Sequence, residues 1–67
     1  MSLSKTVSVI MSVYNAETTV AKSIESLIGQ TYENLEILLV DDSSTDNTLN
    51  ICKEYENNFK NIYLFKN

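Results

Sequence analysis

LEILLVDDSSTDNT, residues 35–48, decides how the chain is read. Leu35 to Val40 is apolar at both alternating parities except at Glu36, as in a strand covered on two faces. Asp41-Asp42-Ser43-Ser44-Thr45-Asp46 ends that strand. Ser43 and Asp46 fit an S-x-x-D capping signal, and an acid at Asp46 suits a helix N-terminus. The next stretch, Asn47 to Asn58, reads as a helix carrying Leu49, Cys52, Tyr55 and then Phe59 on one side. Working outward, Ile62 to Phe65 is a third short apolar run, and Gln30 to Asn34 is a polar connection. Upstream, Val20, Ile24, Leu27 and Ile28 line one face of a helix expected over about 17–28. Gly29, the only glycine, stands where a helix takes a left-handed residue beyond its end. Thr6 to Val13 is a β-branched strand, and Tyr14-Asn15-Ala16-Glu17 breaks it, with Asn15 a candidate N-cap. Three strands alternating with two helices predict an α/β fold, a βαβαβ unit with a three-stranded parallel sheet and right-handed crossovers. Such a unit is half of a doubly wound nucleotide-binding sheet.

Composition removes several classes of function. A 67-residue chain is one domain at most. Cys52 is the only cysteine and there is no histidine, so an internal disulfide and a Cys/His zinc site are excluded. Five lysines, no arginine and nine acids give a net charge of −4, which opposes nucleic-acid binding. No apolar run, Ile37 to Val40 included, exceeds four residues, far short of a membrane span. Residues 1–4 lack the features of a signal peptide and read as an added or unstructured extension, with the domain over 5–67. A cytoplasmic location is expected, with the cytoplasmic face of the membrane as the alternative for a longer parent protein.

Open parallel sheets bind ligands beyond the carboxyl ends of their strands. Ser12-Val13-Tyr14-Asn15 and Asp41-Asp42-Ser43-Ser44 both reach that rim. Alternation puts Ser12 and Tyr14 on one side and sends Asp41 and Asp42 to opposite sides. A tyrosine ring there can stack on a nucleobase, and a carboxylate can accept from base N–H or ribose hydroxyl groups. Plainer roles compete. The acidic pair also suits a helix cap, Tyr14 a half-buried packing residue, Asn15 a cap and Glu17 an acid in the first helical turn. Cys52, Tyr32, Tyr55 and Tyr63 read as packing residues, and the lysines as solvated. Neither a G-x-G-x-x-G nor a P-loop is present.

The order of these pieces is more specific than any one of them. VSVIMSVYNAETTVAKSIESLIGQTYENLEILLVDDSSTDNT, residues 7–48, resembles the N-terminal segment of family 2 glycosyltransferases with the Rossmann-like GT-A fold. That family combines P-x-Y-N, Q-T-Y and V-D-D-[GS]-S-x-D-x-T in this order. The resemblance implies sugar transfer from a nucleotide-diphosphate donor, usually a UDP-sugar, to an acceptor hydroxyl. It implies nucleotide-binding roles for Ser12, Val13, Tyr14, Glu17 and Asp42. Tyr14 would lie along the base, Asp42 would bond the uracil, and Asp41 would be the less direct, secondary member. Ser44 and Asp46 belong to the turn and cap.

Two positions depart from the pattern. Ser12 stands where proline is common, and Ser43 stands where glycine is common. If residue 43 takes a positive φ, serine carries strain there. The family's D-x-D, which holds Mg²⁺ or Mn²⁺ on the diphosphate, and its catalytic base are not among these residues. No catalytic or metal-ligating residue is therefore expected here, and this segment alone is not expected to catalyse transfer. A divalent cation is expected for the full-length enzyme, since an acidic chain without arginine offers little to a diphosphate.

Two other classes compete with this reading. A signalling receiver domain would carry its acidic pair on the first strand and a later phospho-accepting aspartate, yet no aspartate follows Asp46. A non-catalytic βαβαβ module would act through assembly. Its unpaired sheet edge leads us to expect self-association of the 67-residue chain.

Overall fold

Five elements follow one another: β1 (Val7–Val13), α1 (Val20–Ile28), β2 (Leu35–Asp41), α2 (Thr48–Asn58) and β3 (Ile62–Lys66). They come from a computed structural model that describes residues 7–29 and 34–67. Thr6, Tyr32 and the extension read over residues 1–4 lie outside the described residues. The strands form one parallel sheet in the order β1-β2-β3, as the alternating pattern predicts. Val7 pairs with Leu35 and Val13 with Asp41, while Ile37 pairs with Ile62 and Asp41 with Lys66.

Successive right-handed crossovers that step across a sheet in one direction leave their helices on one face. The core obeys this. Val20 and Ile24 of α1, Cys52 of α2, Val13, Leu35, Ile37, Leu39 and Ile62 form a single buried cluster. On β2 the residues Leu35, Ile37, Leu39 and Asp41 are buried, alternating with half-buried Glu36, Leu38 and Val40. The opposite sheet face carries no helix among the described residues. Register sets Ile10, Leu38 and Tyr63 in one row across it, and Ser12, Val40 and Phe65 in the next. Ile10 is 69% exposed and Phe65 53%.

The edges of the sheet differ. The backbone N–H of Leu64 on β3 donates to Glu56 Oε2 at 2.8 Å, so α2 occupies part of that edge. Asn61 Nδ2 donates to the Leu35 carbonyl at 2.6 Å and ties the turn before β3 to the start of β2.

Several local expectations are corrected. α1 begins at Val20, not Glu17, because residues 17–19 turn tightly first. The N–H groups of Thr19 and Val20 both reach the Ala16 carbonyl, at 3.0 and 2.7 Å. Glu17 is therefore no first-turn acid of α1, and the helix cap is Thr19 rather than Asn15. Gly29 is right-handed, with φ −71°, and its N–H continues the helix to the Glu25 carbonyl. On α2 the buried residues are Thr48 and Cys52. Ile51, Tyr55 and Phe59 pack on the core, and Leu49 is not in that group. Tyr63 is 42% exposed on the open face, not packed. Tyr55 does pack: its ring stacks on Phe59 at 6.0 Å, and its hydroxyl donates to Glu25 Oε2 at 2.7 Å. That bond to Glu25, followed by burial, raises the Tyr55 pKa.

Cys52 is a core residue, as its place on the apolar face of the helix indicates. Burial first, then the nearby charge of Asp41, pushes its thiol up to about 11. A thiol held protonated in this way is a poor nucleophile at neutral pH.

Candidate functional site at the sheet rim

The rim is formed by the loop after β1 and the loop after β2. Strand alternation turns the Val13 and Asp41 side chains into the core and leaves Ser12, Tyr14 and Asp42 exposed. Tyr14 is 60% exposed, not the half-buried packing residue that was its plainer reading. Val13 can face a ligand only through its backbone, and its carbonyl accepts the N–H of Asp42 at 2.9 Å. That bond extends the β1–β2 pairing one step beyond the strands and sets the backbones of Tyr14 and Asp42 on neighbouring tracks. The rim is an open shelf: the described residues enclose no pocket.

Beyond this bond the two loops are laced together. Asn15 N–H donates to Ser44 Oγ at 2.9 Å, and Asn15 Oδ1 accepts the Thr45 N–H at 2.7 Å. Ala16 N–H donates to Thr48 Oγ1 at 2.7 Å. Glu17 N–H donates to Asp46 Oδ2 at 3.3 Å, and Glu17 Oε1 accepts the Asn47 N–H at 3.1 Å. Asp46 Oδ1 accepts both the N–H and the hydroxyl of Thr48. Asp46, not Ser43, thus takes the first N–H of α2, as helix N-termini require. Desolvation pushes the Asp46 carboxyl up, but the bonds from Thr48 and Glu17 outweigh it and hold the group below its ordinary value of 3.8.

Two residues adopt left-handed backbone, Asn15 with φ 46° and Ser43 with φ 61°. One directly follows Tyr14 and the other directly follows Asp42. Asparagine tolerates this region; serine at 43 carries the strain expected where glycine is common. The Ser43 hydroxyl donates to the Asn67 carbonyl at 3.2 Å, and the Asn67 N–H reaches the Asp41 carbonyl at 2.9 Å. Asn67 Nδ2 lies 3.4 Å from Asp42 Oδ1, so the end of β3 also borders the rim. Asp41 is 2% exposed; its Oδ2 accepts the Ser44 N–H at 3.2 Å and its Oδ1 is buried without a hydrogen-bond partner among the described residues.

The Asp41 and Asp42 carboxylates differ in burial. One carboxylate is buried and the other exposed, and the described residues hold no cluster of three or more metal-binding side chains. No described helix is long and apolar enough to cross a membrane. Ser12, Tyr14 and Asp42, candidates from the sequence, all lie exposed at the strand ends. Sequence reading missed Asn15, Thr45, Thr48 and Asn67 as linkers, because their partners lie 24 to 32 residues away along the chain. The available signal was the pairing of two Asn/Ser/Thr-rich loops at neighbouring strand ends.

Comparison with known proteins agrees with this architecture. The model of the Glycosyl transferase family 2 family matches residues 8–67. EpsE of Bacillus subtilis (strain 168), provisionally named a glycosyltransferase, is 59% identical over 49 residues, which are 73% of this chain and 18% of that protein. An uncharacterised glycosyltransferase of Haemophilus influenzae (strain ATCC 51907 / DSM 11121 / KW20 / Rd) is 49% identical over 61 residues, 91% of this chain and 19% of that protein. WfaP of Escherichia coli, named a UDP-Glc:alpha-D-GlcNAc-diphosphoundecaprenol beta-1,3-glucosyltransferase, is 46% identical over 48 residues, 72% of this chain and 19% of its length. The chain thus spans less than a fifth of these curated relatives. A parallel βαβαβ sheet, with its two rim loops in this sequence order and a family match over nearly its whole length, belongs to the family 2 glycosyltransferases.

Proposed function

We propose that the chain is the nucleoside-binding segment of a glycosyltransferase that moves a sugar from a UDP-sugar donor to an acceptor hydroxyl. One observation carries this reading: Tyr14 and Asp42 are exposed at the carboxyl ends of adjacent parallel strands, with their backbones joined through Val13. The aromatic face stacks on the base, and the carboxylate accepts a base N–H. Ser12 and the Val13 backbone lie along the nucleoside, Glu17 borders the same shelf, and Asp41 serves from behind by holding the Ser44 N–H. The UDP-glucose in the name of WfaP supports the choice of nucleotide. Residues outside this segment hold the Mg²⁺ or Mn²⁺ and the catalytic base, and the 67-residue chain alone is inactive. The parent works on the cytoplasmic side, where its donor is available.

Titrating the full-length protein with UDP tests this. Tyr14→Ala and Asp42→Ala should each weaken binding about tenfold or more, the worth of a stacked base or a charged hydrogen bond. Unchanged affinity in both variants would sink the assignment.

The open sheet face favours a second property, self-association of the isolated chain. Ile10, Tyr63 and Phe65 stand exposed around half-buried Leu38 and Val40, beside the β1 edge. Sedimentation of the 67-residue chain should show oligomers, and Ile10→Lys with Phe65→Lys should dissociate them. A folded, dilute monomer of the unaltered chain contradicts the proposal.

A further inference from the structure

Resting on the nucleoside reading above, we propose that Asn15 is a positioning residue, which sets the Tyr14 ring at its working distance from the Asp42 carboxylate. Tyr14 is held from both sides. Before it, the Val13 carbonyl accepts the Asp42 N–H at 2.9 Å. After it, the Asn15 N–H donates to Ser44 Oγ at 2.9 Å, and Asn15 Oδ1 accepts the Thr45 N–H at 2.7 Å, with the Thr45 hydroxyl at 3.4 Å. Residues 13–15 are therefore tied to residues 42–45 at both ends, and each tie spans the gap between the two recognition side chains.

The backbone supports the same role. With φ 46°, Asn15 turns the chain sharply straight after Tyr14. The left-handed region is sparsely populated by residues other than glycine, and asparagine is one of the few side chains that enter it readily. Only an Asx side chain both enters this region and supplies an acceptor at the reach of the Thr45 N–H. Alanine loses both properties, glycine keeps the turn and loses the acceptor, and aspartate keeps both. Asn15 needs no contact with the nucleotide; it acts through Tyr14.

The test is a UDP titration of the full-length protein in four variants, Asn15→Asp, Asn15→Gly, Tyr14→Ala and Tyr14→Ala/Asn15→Gly. Asn15→Asp should bind within about threefold of the unaltered protein, and Asn15→Gly about tenfold more weakly, for one lost hydrogen bond and a loosened turn. In the Tyr14→Ala background the added Asn15→Gly change should cost less than about twofold, because residues acting as one unit are not additive. A merely structural asparagine would weaken binding equally in both backgrounds, and that result overturns the inference. So does Asn15→Gly binding as tightly as the unaltered protein while Tyr14→Ala is impaired, which leaves the nucleoside reading standing. If Tyr14→Ala and Asp42→Ala both bind UDP normally, the nucleoside reading falls and takes this inference with it.

Discussion

Replacing Leu39 by alanine is expected to cost the full-length protein about 2–5 kcal/mol of stability. Leu39 is fully buried on the central strand, between Met11 of β1 and Leu64 of β3 in the register, and it faces the layer of helices. The cost has two parts, the lost transfer energy of the removed carbons and a cavity that a parallel sheet cannot easily collapse. Domains are stable by only about 5–15 kcal/mol, so this is a large share. Leu39→Met should cost less than about 1.5 kcal/mol, because volume is conserved. Thermal unfolding followed by circular dichroism measures both. An alanine variant that melts with the unaltered protein would mean that the face of β2 bearing Leu35, Ile37 and Leu39 is not the core.

Thr48→Val should cost about 1–3 kcal/mol despite its nearly unchanged shape. Thr48 is completely buried, and its hydroxyl accepts the Ala16 N–H while donating to Asp46. Valine fills the same space and leaves the part-buried Ala16 N–H without its acceptor. The variant also carries a pH signature. The Asp46 carboxyl lies below its ordinary value of 3.8, so it stabilises the fold above that pH and loses this contribution as pH falls through its lowered value. Thr48→Val removes the largest cause of the lowering, so the Asp46 contribution to acid sensitivity should shrink. Thermal midpoints between pH 3 and 7 check this. A Thr48→Val variant as stable as the unaltered protein, with Thr48→Ser destabilised, would assign the residue's worth to packing instead of the hydroxyl.

Long-range architecture was more legible than local chain direction. Apolar residues at both parities in LEILLV and β-branched residues in VSVIMSV announced buried strands, and the helical spacing of Val20, Ile24, Leu27 and Ile28 announced α1. The parallel sheet then followed from the alternation of three strands with two helices. The first turn of α1 starts later than its apolar spacing suggests because residues 17–19 form a turn, with the Thr19 N–H on the Ala16 carbonyl, before the helix begins at Val20. Gly29 was misread because a lone glycine after an apolar face permits a left-handed turn without demanding one. The divergence of Asp41 and Asp42 was legible from strand alternation alone, whereas the strain at Ser43 was legible only through the family resemblance, in which glycine is common at that position. The linking role of Asn15 was not. A residue that bonds a loop 30 positions away leaves the same trace in a sequence as one that caps its own helix.

The lacing between the two loops also limits how such enzymes can be recombined. Chimeras that cross over within α1 or at the start of β2 inherit one loop from each parent. Asn15, Ala16 and Glu17 would then face foreign partners at 44–48. Exchanging residues 13–48 as one block keeps every bond between the loops with its native mate. The unit of inheritance at this rim is the pair of loops, and junctions belong on either side of it.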